Sequence, residues 1–153
     1  MRTLHIFIAG LVLGGVVVGG LGSGSAQPER RAINLPGRTT QAPFSDAVLA
    51  GDTLYLSGRL GMDPETGYPP AAPQQEARNV LDGIKSVLEE AGMTMDDLVS
   101  VQVFCSDVAH YADFNAVYTS YFTSDPPARA FVGSGALLRG ARFEVMGVAV
   151  RRP

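Results

Sequence analysis

After an apolar start, the chain switches between two hydrophobic periods. Ala47-Val-Leu-Ala50 and Thr53-Leu-Tyr-Leu-Ser57 have strand character and are joined across Gly51-Asp52, a pair that favours the tight turn of a hairpin. Gly58 to Ala72 reads as loop, with Asp63-Pro-Glu-Thr-Gly67 as a turn within it. The period then lengthens. Pro73 opens a helix whose Ala77, Val80, Leu81, Ile84, Val87, Leu88 and Ala91 share one face, and Gly92 stops it. Leu98 to Cys105 returns to alternation, with Val99, Val101, Val103 and Cys105 on one side. A second helix from about His110 is expected to bury Tyr111, Phe114, Val117, Tyr118, Tyr121 and Phe122, and Pro126-Pro127 ends the segment after it. Ala128 to Gly133 and Arg142 to Val150 read as two closing strands.

This order predicts an α+β domain with two helices laid on one face of a mixed sheet. The last strand carries Phe143, Val145 and Ala149 on one side and Met146, Val148 and Val150 on the other, so both sheet faces expect burial. Two helices cannot cover both, and a homo-oligomer that hides the second face is the economical solution. Glu144 falls on the second side. A carboxylate on an apolar stripe stands at a rim, is paired, or is held with a raised pKa.

Residues 1–26 are set apart from the fold. Arg2 precedes an unbroken apolar stretch from Ile6 to Leu21 that ends in Gly24-Ser25-Ala26, the pattern of a secretory signal cleaved before Gln27. An uncleaved membrane anchor is the alternative, and the small-residue exit favours cleavage. The expected mature protein is periplasmic or secreted and free of the membrane. Residues 27–42 are polar, carry Pro28, Pro36 and Gly37, and read as an extended lead-in to a single domain over 43–153.

Composition removes several function classes. The 153 residues are 46% hydrophobic and 18% charged, with net charge -3 and pI near 5.3, so nothing marks the chain as a general nucleic-acid binder. Loss of the signal takes His5 with it and leaves His110 and Cys105 as the only histidine and cysteine. No His/Cys metal site and no internal disulfide can then form, and a Ser-His-Asp triad is possible only through His110. Cys105 is expected to be a buried, inert thiol, and His110 a solvated helix-start residue.

What remains is Arg129, held by Pro126-Pro127 at the start of a strand, with Glu144 fifteen residues later. An arginine placed rigidly in this way suits capture of a carboxylate, although it would equally serve as a structural bridge to a nearby acid. Glu144 is its natural acid/base partner.

The segments Pro43-Phe-Ser-Asp-Ala-Val48, Leu54-Tyr-Leu-Ser-Gly58, Phe114-Asn115 with Tyr118 and Tyr121-Phe122, and Pro127-Ala-Arg129 occur in the order and spacing of the Rid (YjgF-like, reactive intermediate deaminase) family. From about Arg31 to Arg152 the chain resembles that family. The resemblance implies a homotrimer of chorismate-mutase-like α+β subunits with sites in the clefts between neighbours. It also implies hydrolysis of small 2-imino or enamine acids to 2-keto acids and ammonia, without metal or organic cofactor. Arg129 matches the family's carboxylate anchor and Glu144 its water-orienting glutamate, while Ser57, Gly58 and Asn115 match site-lining positions. Three residues depart from the pattern: Phe44 where many members carry tyrosine, Phe131 where some carry cysteine, and Arg59 where glutamine is common and where positive charge is expected near the mouth. The alternative reading is an exported Rid-like binder of small carboxylates that does not turn them over.

Overall fold

The computed structural model describes residues 29–38 and 42–152, so the expected secretory signal lies outside the described residues. Six strands and two helices succeed one another: β1 (Arg30–Ile33), β2 (Ala47–Ala50), β3 (Thr53–Leu60), α1 (Pro73–Glu90), β4 (Leu98–Cys105), α2 (Tyr111–Tyr118), β5 (Ala128–Gly133) and β6 (Phe143–Val150). They form one mixed sheet in the order β1-β2-β3-β6-β4-β5, antiparallel throughout except for the β4–β5 pair. Both helices cover the same face, as the order of elements predicts.

Local sequence accounts for most boundaries. Gly51 takes φ 60°, and with Asp52 it makes the two-residue turn that pairs Ala50 with Thr53. Pro73 occupies the first turn of α1, where its missing N–H is not needed. At the other end Gly92 is left-handed at φ 72°; its N–H reaches Glu89 O at 2.9 Å and that of Met93 reaches Leu88 O at 2.8 Å. That is a Schellman stop, sealed by the buried side chains of Leu88 and Met93.

Four features depart from the sequence reading. Part of the expected lead-in, Arg30–Ile33, pairs with β2 as an edge strand, and only Ile33 is buried, so it has little apolar signal. The segment expected to be loop from Gly58 instead begins as strand, because β3 runs on to Leu60 through a bulge in which Ser57 and Gly58 oppose Met146 alone. A glycine inside a strand marks such a bulge as well as a strand end. Val99 does not share a face with Val101, Val103 and Cys105: a second irregularity between Leu98 and Ser100 turns it outward, and it is 48% exposed. Tyr111 is likewise 49% exposed where burial was expected, while Phe114, Val117 and Tyr118 are buried.

The face away from the helices is bare. Tyr55, Val132 and Val150 are exposed there, and Met146 and Val148 half-buried, so the second apolar face read from β6 exists and none of the described residues covers it. Cys105 is buried and donates to Asp107 O at 2.9 Å, and burial pushes its thiol pKa up, as suits an inert residue. His110 begins the helical segment but is not merely solvated; its ring stands edge-on to Phe143 with centroids 6.2 Å apart.

One buried charge has no counterpart in the sequence reading. Glu76, on α1, is 0% exposed. Its carboxylate accepts the backbone N–H of Arg142 at 2.6 Å and of Phe143 at 3.1 Å, and pairs with the Arg142 guanidinium at 2.7 Å. Truncation would leave two N–H groups without partners and strip the half-buried guanidinium of its counter-charge, though it keeps the Pro70 and Ala71 carbonyls. Glu76→Ala is therefore expected to cost about 3–5 kcal/mol, read as a lower midpoint in urea; a loss below about 1 kcal/mol would show that water replaces the carboxylate.

Candidate active site

The sequence-predicted site residues fall into two groups. Arg129, Asn115 and Phe131 lie in a groove between α2 and β5, on the helix side of the sheet. Pro126 and Pro127 lead the chain straight into β5, so Arg129 leaves the strand at a fixed point facing α2. Its Nη2 donates to Asn115 Oδ1 at 2.7 Å. The guanidinium carbon lies 4.4 Å from the Tyr118 ring centre and within 6 Å of those of Tyr111, Phe114 and Phe131. Four π faces around one cation hold it by cation–π attraction in apolar surroundings. None of the ion pairs among the described residues includes Arg129. Beside it opens a cleft of about 340 Å³ walled by Asn115, Tyr118, Thr119, Pro126 and Pro127.

The Tyr118 hydroxyl in this group is buried without a hydrogen-bond partner. Burial pushes its pKa up to about 12, against the opposing pull of Arg129. The phenol stays neutral at ordinary pH, so it can be a platform for the cation but not a base.

Glu144, Gly58, Ser57 and Phe44 form the second group. In β6 the flanking Phe143 and Val145 point into the core, so Glu144 points to the bare face. The bulge brings Gly58 beneath it, and a Cβ on Gly58 would overlap the Glu144 carboxylate. Glycine is required there by close approach rather than by a turn. The Ser57 hydroxyl donates to Ser45 O at 2.7 Å. Phe44 is exposed at the wall of a cleft of about 620 Å³ that Arg30, Asn34, Arg38, Val48 and Ser57 also line. Arg38 lies 5.1 Å from the Phe44 ring centre, donates to Phe44 O, and pairs with Asp46 at 3.3 Å.

Arg59 does not supply free charge at the mouth. The bulge shifts it to the helix side, where its side chain passes over Gly83 of α1 and pairs with Asp46 at 3.4 Å. Asp46 thus ties together Arg38, Arg59 and the Leu35 N–H, a hub that nothing in the hydrophobic pattern announces.

Arg129 and Glu144 consequently stand on opposite faces of the sheet. One chain offers a cation seeking an anion on one side and a carboxylate over a glycine on the other.

Comparison with known proteins bears on both groups. The profile of the Endoribonuclease L-PSP family matches residues 36–151. The bovine 2-iminobutanoate/2-iminopropanoate deaminase is 39% identical over 112 residues, covering 72% of this chain and 82% of that protein. Among solved structures, the YjgF gene product of E. coli superposes with a TM-score of 0.74 at 32% identity, over 80% of this chain and 99% of that one. E. coli TdcF, solved with bound serine, gives a TM-score of 0.73 at 29% identity over the same shares.

The unpartnered hydroxyl under Arg129 yields a direct test. Tyr118→Phe keeps the ring and removes a buried polar group with no hydrogen bond, so stability in urea is expected to stay level or rise by about 1 kcal/mol. A loss of that size would reveal a partner for the hydroxyl.

Proposed function

The chain belongs to the Endoribonuclease L-PSP family, the Rid family its sequence resembles, and we propose that it hydrolyses 2-imino acids to 2-keto acids and ammonia. Relatives that bear the name of imine deaminases support the general activity. The observation that carries the finer reading is Arg129: a guanidinium fixed by one carboxamide and four rings, with no carboxylate partner among the described residues. Such a group lacks an anion, and its planar fork matches a carboxylate.

In this reading the substrate carboxylate docks on the Arg129 donors that Asn115 leaves free, which places the adjacent C=N carbon at the groove mouth. Glu144 of a second copy, presented on the bare sheet face, takes a proton from water as the oxygen bonds to that carbon. Attack on the protonated imine gives a neutral carbinolamine. The proton held by Glu144 then passes to its nitrogen, and the C–N bond breaks as ammonia departs. The hydroxyl proton passes through Glu144 to the ammonia as C–O becomes the ketone C=O. Imine carbon is already electrophilic, so alignment and one proton carrier suffice. The placement of the two groups on opposite faces supports a site completed between copies, and the bare apolar face supports the trimer that the resemblance implies. RNA is a poorer fit. The chain carries 12 basic against 15 acidic residues, and the Arg129 groove is walled by rings rather than cations.

Imines generated in the assay from amino acids by an oxidase test this directly. Arg129→Ala is expected to lower kcat/KM by about a hundredfold, two charge-assisted hydrogen bonds at about 1.5 kcal/mol each, and Arg129→Lys to recover only part. Glu144→Gln is expected to lower kcat by about 10²-fold or more with little change in KM. Equal rates for wild type and Arg129→Ala would overturn the reading. Binding of 2-keto acids that depends on Arg129, without any acceleration of hydrolysis, would identify a carboxylate-binding protein instead.

A further inference from the structure

On the side of Arg129 away from its cleft lies a strip of exposed apolar side chains. α2 and the turn before it run beside β5, and their side chains meet in successive rungs. Asn115 meets Arg129 through the 2.7 Å hydrogen bond. One helical turn earlier, Tyr111 meets Phe131, two residues further along the strand, edge to face with centroids 5.0 Å apart. Val108 then meets Gly133, where a Cβ would lie 3.1 Å from Val108 Cγ1. The register holds because four helical residues advance about 6 Å and two strand residues about 6.6 Å.

The first rung is cationic and the next two are apolar, yet Tyr111 is 49% and Val108 57% exposed. β5 is the edge strand, so no further strand among the described residues covers them. Gly133 contributes no side chain, so Val108 packs down onto the strand and its outer surface carries on the apolar strip from Tyr111.

We infer that this strip is the side-chain subsite of the acid held by Arg129, and that it selects 2-imino acids with long apolar or aromatic side chains over three- and four-carbon ones. The inference rests on the deaminase reading for the reacting group. The occupant is set by what adjoins: a carboxylate anchor at one end, then an uncharged run of about 13 Å from Arg129 to Gly133. One or two carbons would leave most of that run empty. A phenyl or isobutyl group would lie against Tyr111 and reach Val108, removing apolar area of both partners from water. Tyr111 and Val108 are then specificity-determining residues, and Phe131, behind Tyr111, is the wall that supports them.

The measurement is the ratio of kcat/KM for the imines of phenylalanine and leucine to that for the imine of alanine. In the wild type this ratio is expected to exceed one. Tyr111→Ala is expected to lower it about tenfold, the worth of a few lost apolar contacts, and Tyr111→Phe to restore it. Val108→Ser, which makes no contact with Arg129, is expected to lower it as well. Loss of support for Arg129 would instead depress long and short substrates together and leave the ratio fixed, which would overturn the inference. So would a changed sedimentation coefficient of Tyr111→Ala with an unchanged ratio, since the strip would then be a contact between copies. If no imine is accelerated, the deaminase reading fails separately, and the affinities for phenylpyruvate and pyruvate then decide the subsite. A wild-type preference for phenylpyruvate that Tyr111→Ala abolishes supports it, and equal affinities overturn it.

Discussion

The buried Glu76–Arg142 pair is the constraint around which the domain is assembled. It joins α1 to the residue that precedes β6, the strand that lies between β3 and β4 and carries Glu144. Gly61, just beyond β3, passes so close to the Glu76 backbone that a Cβ there would overlap its carbonyl. Three segments distant in sequence thus converge on one residue, Glu76. A buried ion pair is a weak source of net stability, because desolvation offsets most of its attraction. Its effect here is to specify position, since both backbone N–H groups at the start of β6 are satisfied only when α1 lies in one place.

The helices cover one face of the sheet, and this divides the chemistry. On the covered side Arg129 is surrounded by rings that exclude water, so a ligand carboxylate would meet it in a setting of low polarity where the attraction is strong. On the bare side Glu144 sits over a bulge that supplies room without a side chain. The bulge also reverses the facing of the residues beyond it, which sends Arg59 across α1 and away from the open cleft.

What could be read in the sequence tracks how local the cause is. Gly51-Asp52, Pro73 and Gly92 act through their own backbone preferences, and the hairpin and α1 fall where these residues indicate. β1 is hard to read because three of its four residues are exposed, and an edge strand needs no apolar alternation. Val99 and Gly58 mislead for a common reason: at an irregularity the two-residue period slips by one, and composition does not mark the slip. Tyr111 looks like core because it is aromatic at helical spacing, and only the position of β5 leaves it at an open groove. Arg129 and Glu144 are legible as a proline-held cation and a carboxylate on an apolar stripe, and Asn115, Phe131 and Gly58 as candidates through resemblance to the family. Their separation onto two faces depends on strand pairing, which no single segment encodes.

The strand order has one more consequence, for synthesis on the ribosome. β6 is the last of the six strands in chain order, yet it alone joins β1-β2-β3 to β4-β5. Until Phe143–Val150 has emerged, the nascent chain holds two partial sheets with unpaired inner edges, and Glu76 has nothing to bind. The sheet of this domain therefore closes only once Phe143–Val150 is available, and a chain cut short of it lacks both the central strand and the partner of Glu76.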